Sequence, residues 1–497
     1  MKIKVVNKSI LDFDGDLVIV NLFEGVKKPG GATGAVDRAM GGAISRAINN
    51  GEITGKRGET LIIHTLDKIK ARRVMVVGLG KPNAFGLESI RKAAGAAALA
   101  AKKAHLKTIA MIVHGAGIGG IDPEQGARAA VEGTILALYE FTEYKKPEMT
   151  GIGSISIFES DRGKYPAIKH GVETGRIIAE AQNTSRDLSN EPANNLTPVL
   201  LGRRIKAFLK EQRLDKKIAC TILGPRELAL KRLGALLSVS QGSDHEPQFI
   251  TLRYKKSDRP LICLIGKTVT FDSGGISLKD PEGMQRMKGD MSGGGVVFAV
   301  MAALARTGSK VNVMALIPAV ENMPSGSASR PGDVVRAMNG KTIEIISTDA
   351  EGRMTLADAI CYAESRGAKV IVDIATLTGG SMIAFGDITA AVMGNDARLI
   401  EKLLTITHET GERMWELPLF EEYEEKIKSD VADLKNSGGR GGAPITAGIF
   451  LKAFVKDARW VHIDIAGKEF ADSERFYQPK TATGFGVRTL FEFCRQI

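Results

Sequence analysis

No apolar run in this chain approaches the roughly 18 residues that a membrane-spanning helix requires, so no membrane partner is expected. The opening stretch, MKIKVVNKSILDFDGD, mixes lysines with acids. It has no long apolar core and no small-residue cleavage site, so no secretory leader is expected either. Cysteine is scarce: Cys220, Cys263, Cys361 and Cys494 lie far apart and form no zinc-like spacing. Cys263 and Cys361 sit in apolar segments and read as reduced core residues, which points to the cytoplasm. Aromatic residues make up only 5%, too few to furnish a base-stacking surface. The seven histidines are scattered, none falls between His245 and His408, and no His-Glu-x-x-His occurs. Any metal held by the middle of the chain must therefore use other groups. The two Gly-Lys-Thr triplets, at 266–268 and 340–342, have Leu261 and Val335 where a phosphate-binding loop needs glycine, so both fail as nucleotide sites.

What is present is an ordinary balance for a globular chain of two or three domains: 43% hydrophobic and 25% charged residues over 497 positions. The formal charge is +11, and residues 1–165 carry 24 Lys and Arg against 17 Asp and Glu. That basic excess is read as a solvated face; attraction of nucleic acid is the alternative. In the first third, β-like runs such as DLVIVNLF and RRVMVVGLG alternate with helical ones, GAVDRAMGGAISRAINNG and LESIRKAAGAAALAAKKAH. The second half alternates likewise, with RPLICLIGKTVTF, KVNVMALIPAV, KTIEIIS, AKVIVDIATL and ARWVHIDIA as core strands. The expectation is two α/β domains: residues 1–165, a connecting helix and linker over 166–196, and residues 197–497 around a largely parallel central sheet covered by helices. His462, inside an apolar strand, reads as a hydrogen-bonded core residue. The run GAGIGG has dinucleotide-loop spacing (Gly115, Gly117, Gly120), but its helix starts only near Pro123, so the match is weak.

One stretch asks for more. In ISTDAEGRM, Asp349 and Glu351 follow an apolar strand and precede a helix. As a helix start, Thr348 and Glu351 would form a capping box. As an extended segment, the two carboxylates would point to one side and could share a cation. The segment TVTFDSGGISLKDPEGMQRMKGDMSGGG adds Asp272, Lys279 and Asp290, directly after Lys267. Each alone reads as a turn, a cap or a surface charge. Together, strand ends and helix starts bring Lys267, Asp272, Asp290, Asp349 and Glu351 to one edge of one sheet, where active sites of such sheets collect. Four confined carboxylates repel unless cations offset them, and a pair of divalent ions would do so.

STDAEGR, GKTVTFDSGGISLK and MKGDMSGG resemble the leucine aminopeptidase (cytosol aminopeptidase) family of two-metal exopeptidases. The likeness extends to NEPANNLTP, GGRGGAPITAGIFLKAF and WVHIDIAG, and more weakly to DRAMGGAISRAI and GLGK in the first domain. It implies an N-terminal macro-like α/β domain without catalytic residues and a C-terminal catalytic domain. It implies that Asp272 and Glu351 bridge two divalent ions (Zn, Mn or Mg), that Asp349 completes one ion's shell, and that Asp290 and Lys267, as a neutral amine, complete the other's. Lys279 matches the family's catalytic lysine, and Arg353 matches the arginine holding a bicarbonate ion that serves as base. The implied substrates are peptides with a free N-terminus. Met287, Thr376, Gly379 and Ala466 match the pocket for the first side chain. Glu469 aligns with a pocket position that is apolar in some relatives, which opens the pocket to basic or polar first residues. Ser347 and Met354 stand where the family usually has Asn and Leu; neither is a ligand position. The loop 438–444 is expected in the site wall, and the assembly is expected to be a homohexamer of two trimers. Two rival readings are a nucleic-acid-binding regulator using the basic first domain, and another metal hydrolase such as a phosphoesterase, which would call for histidine ligands.

Overall fold

The computed structural model describes residues 1–115, 119–147 and 151–497. The chain forms two compact units. The first comprises Met1–Glu180, Glu409–Gly411 and Asp472–Lys480; the second comprises Ala181–His408, Glu412–Ala471 and Thr481–Ile497. The chain leaves the first unit within the 26-residue helix Tyr165–Asn190. Among the described residues, the strands make three sheets, and no helix is long and apolar enough to cross a membrane.

The first unit is built on a six-stranded sheet in the order Lys2–Val6, Ser154–Phe158, Thr108–Ile112, Leu17–Phe23, Arg73–Gly80, Thr60–His64. All neighbours are parallel except the last pair. The half-exposed edge strand Lys2–Val6 has too short an alternation to stand out in the sequence. Apolar side chains of the helix Leu87–Lys103 pack on the sheet with Leu17, Met75 and Ile109. The run GAVDRAMGGAISRAINNG, expected as one helix, forms two, Gly31–Ala39 and Ala43–Asn49. Gly41 and Gly42 both take positive φ (66° and 80°), which ends the first helix. Asp37 then accepts the Ile44 and Ser45 amides (2.8 and 3.0 Å), anchoring the start of the second. The GAGIGG run lies partly outside the described residues.

The second unit holds a nine-stranded sheet. Its order is Met414–Glu416, Ala390–Gly394, Arg459–Asp464, Val370–Ala375, Ile262–Gly266, Asn312–Asn322, Gln248–Lys255, Ala219–Leu223, with Thr268–Asp272 also paired to Asn312–Asn322. The four central strands are mutually parallel, and antiparallel pairs flank them. Val370–Ala375 is buried at every position, as a sheet covered on both faces requires. The helix Gly352–Ser365 packs through Met354, Leu356 and Ile360 into a core with Cys263, Ile265 and Leu316. All four cysteines are free, and all but the half-buried Cys220 are buried.

Two strand expectations are corrected. RPLICLIGKTVTF is not one strand: it breaks at Lys267 into Ile262–Gly266 and Thr268–Asp272. KTIEIIS does not belong to the central sheet. Its residues Thr342–Glu344 pair with Val334–Arg336 and Leu434–Lys435 in a separate three-stranded sheet. The Asp433 carboxylate accepts the Thr342 amide (2.7 Å), and Asn436 Oδ1 accepts the Ile346 amide (2.8 Å), so the segment finds its partners there.

Candidate metal centre

Lys267 sits in the break between two strands, and the break is a packing necessity. The helix Ser292–Thr307 begins with Ser-Gly-Gly-Gly and comes so close that a Cβ on Gly293 would lie under 3.0 Å from the Lys267 backbone and from Ile374 O. Gly266 meets Gly293 equally tightly. Only glycine permits that approach. It leaves the Lys267 side chain buried, its Nζ 2.7 Å from Asp290 Oδ1, 2.9 Å from Glu351 Oε1 and 2.9 Å from Thr376 O. Gly352 closes the other side, since a Cβ there would also fall under 3.0 Å from Lys267 Cε.

The acids arrive from separate elements. Asp272 ends its strand; its Oδ1 accepts from the Gly274 amide (2.9 Å) and from Asn322 Nδ2 (2.8 Å), and its Oδ2 pairs with Lys279 Nζ (2.7 Å). Asp290 follows the short helix Met284–Gly289, and its Oδ1 also accepts from Thr376 Oγ1 (2.7 Å). Glu351 is the residue just before the helix Gly352–Ser365 and caps nothing with its side chain. The capping-box alternative is therefore overturned. Thr348 Oγ1 instead donates to Gly274 O (2.6 Å) and accepts the Ser277 amide (2.8 Å), stitching the two acid-bearing loops together. The expectation that all these acids line the edge of one sheet is corrected too, because Asp349 and Glu351 come from the loop that follows the small sheet.

Among the described residues, Asp272, Asp290 and Glu351 form the compact group: each offers an oxygen within 4.8 Å of the others, and all three are buried. Asp349 stands outside it, more exposed, with its carboxylate taken up by Lys279. Asp290 Oδ2 and both Glu351 oxygens are buried and accept no hydrogen bond, although Lys267 lies close to Glu351 Oε1. Buried carboxylate oxygens without donors are costly unless a cation takes the donor's place. Burial pushes the Asp290 carboxyl well above its ordinary value; Lys267 opposes this, and Glu351 and Asp272 add to it. Asp272 and Asp349 move the same way, burial first. For Lys267, burial pulls downward, but Asp290, Glu351 and Asp272 outweigh it and raise the ammonium above its ordinary range. The residue types, the crowding of charge and the orphaned oxygens fit divalent cations.

Around this group, Arg353 is buried, donates from Nη1 to Asn436 O (2.8 Å) and leaves Nε without a partner; burial lowers it to about 10. Thr376, expected in the substrate pocket, is also a bracket for Lys267 and Asp290. Asp464, at the end of Arg459–Asp464, accepts the Leu377 amide (3.0 Å), the Thr378 hydroxyl (2.7 Å) and the Ala466 amide (3.1 Å). It thus ties the loop before Gly379 to the loop bearing Ala466. Met287 lies in the short helix before Asp290 and is half-buried, and Gly379 is exposed. The loop 438–444 ends with Pro444 against Gly380. Glu469 Oε2 is buried without a partner, and burial raises its carboxyl. His462 is a core residue as expected, bonded through Nδ1 to Asp373 at 2.5 Å. Sequence reasoning missed Asn322, Asn436 and Asp464, which hold the loops in place. Asn322 and Asp464 close apolar strands, which was a readable signal; Asn436, in an irregular segment, had none.

Comparison with known proteins agrees over the whole length. The family model described as the cytosol aminopeptidase family, catalytic domain, matches residues 183–491, and the one for that family's N-terminal domain matches residues 19–148. A "Probable cytosol aminopeptidase" of Alkaliphilus metalliredigens is 39% identical over 503 residues, spanning 100% of both chains. One of Geobacter sulfurreducens is 43% identical, covering 93% of this chain and 92% of its own. Among solved structures, a tomato leucine aminopeptidase mutant superposes with a TM-score of 0.89 at 32% identity, covering 100% of this chain and 97% of its own. The bottromycin maturation enzyme BotP in complex with Mn gives 0.86 at 32% identity, covering 97% and 99%. None of these names supports the nucleic-acid reading.

Proposed function

The chain belongs to the cytosol aminopeptidase family and is a metal-dependent aminopeptidase acting on peptides, and from that premise we propose which of its residues do the work. Asp272, Asp290, Asp349, Glu351 and the Lys267 amine would hold two divalent cations, zinc or manganese, with magnesium as a further candidate. The observation that carries this is the pair of buried carboxylate oxygens without any donor, Asp290 Oδ2 and Glu351 Oε2, beside Glu351 Oε1, which faces the Lys267 amine at 2.9 Å. Bound there, the cations supply Lewis acidity that polarises the first carbonyl and eases loss of a proton from water. Lys279, which here pairs with Asp272 and Asp349, would donate to the carbonyl oxygen as it gains charge, a contribution of about 3–4 kcal/mol for a well-placed donor. Arg353, through its free Nε, would hold bicarbonate as the base that carries the water's proton to the leaving amine. The water oxygen bonds to the carbonyl carbon, the carbon–nitrogen bond breaks, and the amine leaves neutral.

Met287, Thr376, Gly379 and Ala466 would line the pocket for the first side chain. Glu469, with its unpartnered oxygen, would draw basic or polar first residues. The same reading places the protein in the cytoplasm and expects a homohexamer of two trimers, which sedimentation can check. The decisive experiment uses protein stripped by a chelator and resupplied with each metal, assayed on leucyl, lysyl and seryl amides. Activity should return only with metal, and Glu351→Gln should abolish it. Full activity in the stripped protein, or in that variant, would refute the assignment, while equal rates on all three amides would remove the role given to Glu469.

A further inference from the structure

The first unit contributes no residue to the proposed centre, yet it contains a cleft of about 640 Å³. That volume lies in the range of sites that enclose small molecules. Its place in the fold is specific. The chain runs from Leu17–Phe23 to a parallel neighbour on one side, Arg73–Gly80, and then crosses to a parallel neighbour on the other, Thr108–Ile112. Such a reversal of strand order leaves a crevice outside the carboxyl ends of the strands, where ligands of open parallel sheets bind. The cleft is lined by the ends of Leu17–Phe23, Thr108–Ile112 and Ser154–Phe158.

Its chemistry is divided. One wall is the start of the nine-residue helix Gly31–Ala39, which has no side-chain cap and no acid in its first turn. Gly31 faces open space, with nothing within 4 Å of where a Cβ would be. Uncapped amides and the positive end of the helix dipole therefore front the cleft. Lys8, Lys28 and Lys164 line it as well. The one acid among the described lining residues, Glu159, already accepts the Asp161 amide (2.9 Å). Asn21, also in the lining, is fixed by His114 Nδ1 (3.1 Å), and the other ring nitrogen of His114 is buried without a partner. The apolar part includes two immobilised rings: Phe23, edge-on to Phe85 at 4.9 Å, and Phe158, edge-on to Phe13 at 5.8 Å.

We propose that this cleft binds a nucleotide, with its phosphates against the helix start and the lysines and its base on the apolar wall. The site is independent of the metal centre and of the peptidase reading.

The test is calorimetric titration of the full-length protein, without added divalent metal, with ADP, pyrophosphate and adenosine. ADP should bind with a Kd of about 100 μM or tighter. Pyrophosphate should bind measurably but more weakly than ADP, and adenosine about tenfold or more weaker than ADP. Ala32→Glu places a carboxylate in front of the helix start, which favours the helix itself. It should leave the melting temperature unchanged or higher while weakening ADP by about tenfold or more, and Lys28→Glu should act in the same direction. No heat with millimolar ADP would overturn the proposal. So would unchanged affinity in both variants, adenosine binding as tightly as ADP, or pyrophosphate binding as tightly as ADP.

Discussion

Gly352 has no room for a side chain, and that lack of room shapes the proposed metal centre. Its α-carbon faces Lys267 Cε so closely that an added methyl group would lie under 3.0 Å away. Lys267 cannot retreat, because its Nζ is already placed by Asp290, Glu351 and Thr376 O. Gly352→Ala should therefore destabilise the protein by about 1–3 kcal/mol, as overpacking does, and displace the lysine from the cluster. Metal affinity by isothermal titration should fall with it; an unchanged affinity would mean that Lys267 is not a ligand. Asn322 acts at one remove. It donates to Asp272 Oδ1 (2.8 Å) and to Thr348 O (3.0 Å), so one amide orients a proposed ligand and also pins the loop that carries Asp349 and Glu351. Partners of this kind typically contribute 10–100-fold, roughly, to metal affinity. Asn322→Ala should lose about that much while the chain stays folded, and circular dichroism with a metal titration would report both.

The helix Ser292–Thr307 shows how an element, rather than a residue, sets the site. Its first-turn glycines let it touch the strands on either side of Lys267, and Gly294 faces Thr268 Oγ1 with no space for a methyl group. Gly295, one residue on, has its nearest neighbour at 3.3 Å, Ser185 Oγ. Gly294→Ala should thus lower the melting temperature distinctly more than Gly295→Ala; equal shifts would mean that helix propensity, not the close approach, governs both. This contact also explains what could be read in advance. The string MSGGG announced a helix start beside Asp290, and the apolar runs announced nearly every central strand. The break at Lys267 was hidden because GKTVTF continues a β-like pattern, and only the helix pressing on Gly266 and Lys267 divides it. The placement of KTIEIIS was hidden as well, because an apolar run of that length fits a core strand or a small sheet equally well. Its choice depends on Asp433 and Asn436, about 90 residues away in the chain. The likeness to a known family supplied the ligand set; spacing alone left each acid with a bland explanation.

At the scale of the whole molecule, the balance between buried acids and protons makes stability depend on pH. Asp358 lies in the helix Gly352–Ser365 with its carboxyl buried; burial raises it to about 7, against the Leu236 and Met338 amides, which bond to it at 2.9 and 2.7 Å and lower it. Between its ordinary value of 3.8 and about 7 the folded chain holds a proton that the unfolded chain has released. Folding stability therefore falls as pH rises through that window and levels off above it, by up to about 4 kcal/mol for this group. Without metal, Asp272, Asp290 and Asp349 are raised too and push in the same direction, and together these acids outweigh the buried His114 imidazole, which burial lowers from 6.5 to about 4 and which alone would make stability rise with pH between those values. Cation binding works the other way. Ligands bind as carboxylates, so a bound metal releases protons and stabilises more strongly as pH rises. Chelator-treated protein should accordingly melt at a lower temperature at pH near 7.5 than at pH near 5. Saturating manganese should shrink or reverse that difference, and Asp358→Asn should flatten part of the metal-free slope. Scanning calorimetry over this range, with and without metal, decides it: a metal-free melting temperature that climbs with pH would contradict the burial argument, and a slope indifferent to manganese would detach the cation from the carboxylates.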